Sequence, residues 1–76
     1  MPNPKQLTDI QQLLGKRVSA LRESLELSQE EFSEKCGWDR ARQSKIESGQ
    51  YNLTLASLLS IANVAKMRFD INFTKS

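Results

Sequence analysis

Residues 40 to 45 carry Arg40, Arg42 and Lys45 with no acid among them. If this stretch is helical, Arg40, Ala41, Ser44 and Lys45 share one face, because positions four apart are neighbours on a helix. A charged donor face interrupted by small side chains can approach and hydrogen-bond a partner rich in acceptors. The preceding residues are the reverse: Glu23, Glu26, Glu30, Glu31 and Glu34 lie between 23 and 34 with no base. Two solvated helix faces would account for such segregation. The place of the basic stretch relative to the helices decides whether it does more.

Catalysis has little to work with. The chain has no histidine to act as a base and no glycine-rich loop of the kind that cradles phosphate. Glu30, Glu31 and Glu34 read as helix charges, favoured by the dipole in the first turn and solvated beyond it. Cys36 is the one cysteine, so it has no internal disulfide partner, and without histidine a structural zinc site is not expected. Cys36 reads as core, not as a nucleophile. No enzyme, metal or cofactor is expected.

Seventy-six residues allow one domain with a modest core. Without a disulfide or metal, oligomerisation is the expected further source of stability. The first residues, MPNPKQLTDIQQLL, hold no long apolar run, so neither a signal peptide nor a membrane span is expected. A soluble, cytoplasmic protein is the expectation.

The elements that must position the basic face can be read from caps and periodicity. Thr8-Asp9-Ile10-Gln11 fits a capping box. Ile10, Leu13, Leu14, Val18, Leu21 and Leu25 then recur at helical spacing, which predicts a helix from about Asp9 to Leu25. Ser28-Gln29-Glu30-Glu31 is a second box, with Leu27 and Phe32 as its hydrophobic staple, and starts a helix from Gln29 to about Cys36. Gly37 suits the left-handed cap that ends it. Only Gly37, Trp38 and Asp39 separate this helix from the next, capped by Asp39 and running from Arg40 to about Ser48 before Gly49. Thr54 caps a fourth helix whose apolar side carries Leu55, Leu58, Leu59, Ala62 and Ala65, widened by Ile61 and Val64. In Phe69-Asp70-Ile71-Asn72-Phe73 apolar and polar residues alternate, which predicts a strand. A lone strand needs a ladder partner.

Two helices joined by a three-residue turn around glycine form a helix-turn-helix. The first braces the second, whose first turns can enter the DNA major groove and approach base edges. Those turns carry Arg40, Ala41, Ser44 and Lys45. Residues 16 to 65 resemble the lambda-repressor/Cro-like (XRE) family, through LSQEEFSEKCGW, then SKIESG, then Asn52-Leu53-Thr54-Leu55 at the start of an apolar helix.

The resemblance implies roles residue by residue. Gln29 matches a glutamine that contacts phosphate and supports the first reading residue. Arg40 matches that first reading residue, and Ala41, Ser44 and Lys45 match others facing the groove. Gln29, Arg40, Ala41, Ser44 and Lys45 are therefore the expected base-reading set. Gln50, Tyr51 and Asn52 match a phosphate-holding loop, and Arg42 and Gln43 are grouped with them. Arg22 and Glu47 match a partly buried ion pair that ties the first helix to the reading helix. The chain departs from the family at Gln43, where a buried aliphatic residue is usual. Trp38 can fill some of that space. The roll of the helix around Gln43 stays open, and Arg42 and Gln43 could trade places with the favoured residues.

The alternating tail resembles that of HipB-type antitoxins, in which strands of two subunits pair. It implies dimerisation through Phe69, Ile71 and Phe73. The expected architecture is all-α: an N-terminal lead (1–7), a four-helix lambda-repressor-like domain (8–66), and a short C-terminal β-strand and tail (67–76) that pairs across a homodimer. The expected function is a dimeric repressor that reads a palindromic operator in double-stranded DNA. The alternative is an antitoxin that neutralises a toxin partner and autoregulates its operon.

Overall fold

Asn3, five residues ahead of Thr8, starts the first helix. The computed structural model describes residues 1–75, and in it α1 spans Pro4–Ser24. The Asn3 side chain accepts from the Gln6 backbone N–H at 2.8 Å, and the Gln6 side chain accepts from the Asn3 backbone N–H at 3.1 Å. With Pro4 at the first helical position, this upstream signal is complete, and α1 runs on through Thr8. The lead expected over residues 1–7 is therefore largely helical.

The other three helices start where their caps place them. α2 spans Gln29–Cys36, α3 Arg40–Glu47 and α4 Leu55–Val64. Ser28 and Glu31 form the reciprocal box of α2. Asp39 accepts from the Arg42 N–H at 2.7 Å to cap α3. Thr54 accepts from the Ser57 N–H at 3.1 Å to cap α4. Gly37 has φ 89°, a left-handed conformation that side chains with a Cβ rarely adopt, and it turns the chain from α2 toward α3.

Each helix contributes one hydrophobic residue to the centre: Val18 from α1, Phe32 from α2, Ile46 from α3 and Ile61 from α4. Leu21, Leu27, Cys36, Trp38, Tyr51, Leu53 and Val64 pack around them. Burial differs from the expected stripes at their ends. Ile10, Leu13 and Leu25 of the α1 stripe are exposed, and so are Leu55 and Leu59 of α4. The buried side of α4 is set by Ser57 and Ile61 instead.

Residues 67–75 form no strand, contrary to the alternating pattern. A strand is held by ladder hydrogen bonds to a neighbour, and an otherwise helical chain offers none. Of the three tail residues expected to mediate dimerisation, Phe69 is half-buried, whereas Ile71 and Phe73 are exposed. Ser76 lies outside the described residues.

The α1–α3 crossing is close. A Cβ at Gly15 would lie 2.6 Å from the Ile46 carbonyl oxygen and 2.7 Å from that of Glu47. Both are backbone atoms, so relief requires moving one helix off the other. Alanine favours a helix interior over glycine by about 1 kcal/mol, but overpacking costs about 1–3 kcal/mol. Gly15→Ala should therefore destabilise the fold in urea titration, despite its better helix propensity. Equal or greater stability would contradict the close crossing.

Candidate nucleic-acid interface

The surface of α3 divides into an outer and an inner side. Gln29 at the start of α2 and Arg40, Ala41 and Ser44 on α3 line one shallow, open recess. Arg40, Ala41 and Ser44 are exposed, and Gln29 is half-buried at its edge. The recess thus brings together four of the five residues expected to read bases. Lys45 is exposed but does not line it. The small Ala41 and Ser44 side chains leave the α3 backbone approachable between the donors of Arg40 and Gln29. Arginine matches the paired acceptors of guanine, and an exposed methyl suits that of thymine.

The inner side holds the helix in this roll. Gln43 is fully buried, so it cannot hold phosphate as expected. Its Oε1 accepts from the Trp38 indole Nε1–H at 2.8 Å, and its Nε2 donates to Glu47 Oε2 at 2.7 Å. An indole N–H only donates and a carboxylate only accepts. A carboxamide, with one group of each kind, satisfies both. An aliphatic side chain would leave the indole N–H unpaired, at about 1–3 kcal/mol, and would remove one of the donors to Glu47.

Glu47 is the hub. Arg22 donates to it through Nε at 2.7 Å and Nη2 at 3.0 Å, and Gln29 donates through Nε2 at 3.3 Å. Arg22 also donates through Nη1 to the Leu27 carbonyl at 2.8 Å. The two charged side chains are only 14% and 7% exposed, Arg22 and Glu47 respectively. Burial pushes the Glu47 carboxyl up, but the hydrogen bonds from Arg22, Gln43 and Gln29 outweigh it and hold the group below the usual carboxylate range.

Arg42 was expected to contact phosphate. Its guanidinium instead lies over the Trp38 ring, 4.5 Å from its centroid, and over the Tyr51 ring, 4.9 Å from its centroid. Nη2 donates to Ser57 Oγ at 2.7 Å, and the enclosed Nε has no partner among the described residues. Arg42 straps α3 to the following loop and to α4, with cation–π attraction to both rings. This use also occupies Tyr51, which is half-buried under the guanidinium, whereas Gln50 and Asn52 are exposed. The sequence reading missed Ser57 and the donor role of Trp38. The one available signal was that a buried indole N–H needs an acceptor.

Burial pushes the Cys36 thiol up to about 11, which keeps it protonated at neutral pH. Among the described residues no three His, Cys, Asp or Glu side chains gather as a metal site would require. No helix among them is long and apolar enough to cross a membrane.

A family model described as helix-turn-helix matches residues 18–71. The chain belongs to this XRE-type helix-turn-helix family. A similar solved structure is the restriction-modification controller protein C.AhdI from Aeromonas hydrophila. It is 30% identical with a TM-score of 0.77, and the match covers 80% of this chain and 88% of that one. No curated protein matches. This helix-turn-helix chain is accordingly a DNA-binding transcriptional regulator with the lambda-repressor-like fold.

Because the folded state lowers the affinity of Glu47 for a proton, the contribution of this pair is complete above the usual carboxylate range. It is lost as pH falls below that range, through the folded-state value. Glu47→Gln should cost about 3–5 kcal/mol at pH 7, because it leaves the enclosed Arg22 charge uncompensated. The variant should also lose less stability than the parent between neutral and acid pH. Urea titrations at both pH values check this, and an identical acid dependence in the two proteins would refute the assignment.

Proposed function

We propose that this regulator is a homodimeric repressor that binds a palindromic operator and blocks transcription by occupying it. Each α3 would enter the major groove with Arg40, Ala41 and Ser44 toward the bases, Gln29 beside them, and Lys45 farther along. Gln50 and Asn52 would follow the phosphates. The observation that carries the reading is the recess on the outer face of α3, which gathers Gln29, Arg40, Ala41 and Ser44 while Arg42 and Gln43 are engaged on the inner side. Exposed Leu55, Leu59, Ile71 and Phe73 leave apolar side chains for a second copy to cover. Two copies related by a two-fold axis place their reading helices about 34 Å apart, one turn of DNA.

The likeness to C.AhdI favours a narrower version, in which the regulated genes belong to a restriction-modification system. Adjacent genes for a nuclease and a methyltransferase would support it. The antitoxin alternative drew on a C-terminal strand, which residues 67–75 do not form, and on the general layout of the N-terminal segment; the family match and the C.AhdI likeness do not favour it, and it is not carried forward.

Selection of bound duplexes from a random pool, at about 0.15 M salt because phosphate contacts make affinity salt-dependent, should return two inverted half-sites one helical turn apart. Arg40→Ala should cost about 1–3 kcal/mol per half-site on the selected duplex and relax preference at one position in each half-site. A single unrepeated site would refute the dimer. Equal loss on every sequence would make Arg40 a phosphate contact.

A further inference from the structure

The hydrogen bonds around Glu47 also fix the direction of the Gln29 carboxamide. An ionised carboxylate has about four acceptor positions and no donor. Arg22 takes two of those of Glu47, Gln43 takes one through Nε2, and Gln29 takes one through Nε2. Gln29 must face Glu47 with nitrogen, because its oxygen there would oppose a carboxylate oxygen. Gln43 cannot release the position, since the Trp38 indole holds its own oxygen from the other side. Gln29 Oε1 is left without a protein partner among the described residues, on a side chain that lines the recess with Arg40, Ala41 and Ser44.

We infer that Gln29 reads DNA as a hydrogen-bond acceptor, with Oε1 taking a proton from an exocyclic amino group in the major groove, adenine N6 or cytosine N4. This inference rests on the DNA-binding reading above and specifies the chemistry of one contact within it. Phosphate oxygens and the guanine edge present acceptors, so they repel an outward carbonyl oxygen and fall to Arg40 and Lys45 instead. Glu47, enclosed behind Gln29, acts as the positioning residue that selects this polarity.

The test uses the full chain and the duplex it selects. At each position an adenine is replaced by purine, or a cytosine by 2-pyrimidinone, which removes the amino group alone. One such replacement, made in a single half-site, should weaken binding of the unaltered protein about five- to tenfold, the size of one lost hydrogen bond. Its chemistry distinguishes adenine from cytosine. Gln29→Met should bind the parent duplex more weakly and be indifferent to that same replacement. Uniform loss by Gln29→Met on all duplexes, with no amino group singled out, would overturn the inference and assign Gln29 to phosphate. A change only at the guanine read by Arg40 would overturn it too, as support for Arg40. In both cases the DNA-binding reading would stand. Failure of any duplex to be selected would remove both.

Discussion

The buried carboxylate of Glu47 is the constraint on which the rest of the structure depends. It sits at the last residue of an eight-residue helix, and helices that short are marginal in water alone. Four donors from three elements converge on it: two from Arg22 of α1, one from Gln29 of α2 and one from Gln43 of α3 itself. A buried charge is tolerated only when its acceptor positions are filled. Rotation of α3 about its axis would empty several of them together. Ile46 adds an apolar anchor on the same inner side, and Gly15 lets α1 approach the backbone of Ile46 and Glu47. The roll of the helix is thereby set from inside, and the outer face is what remains.

That division leaves an apparently basic helix with a mixed outer surface. Of the three cations between 40 and 45, Arg42 is consumed by the Trp38 and Tyr51 rings and by Ser57. Arg40 and Lys45 stay outside, separated by Ala41 and Ser44. One arginine, one amide and two small residues line the recess on that face. A face of unconstrained cations would bind phosphate without preference.

Much of this was legible in the sequence, because the signals were local. Ser28 and Glu31, Gly37, Asp39 and Thr54 fix helix ends through contacts among close neighbours, and the structure places those ends accordingly. The Arg22–Glu47 pair came from family resemblance, since no local rule joins residues 25 apart. The start of α1 was misplaced because two cap signals compete there, and Asn3 with Pro4 and Gln6 lies upstream of Thr8. Gln43 and Arg42 were misassigned for a different reason. Polar side chains default to the surface unless a specific buried partner is known. The partners are the indole of Trp38, the ring of Tyr51 and the hydroxyl of Ser57, which only tertiary packing brings into reach. The tail pattern has the period of a strand, but pattern supplies no ladder partner.

A crystal structure of the protein on its selected duplex tests the central claim most directly, that the interior fixes which side of α3 meets DNA. The account predicts Arg40, Ala41 and Ser44 in the major groove, with Gln43 still enclosed between Trp38 and Glu47. A complex in which α3 has rolled to bring Gln43 or Arg42 onto the bases would contradict it.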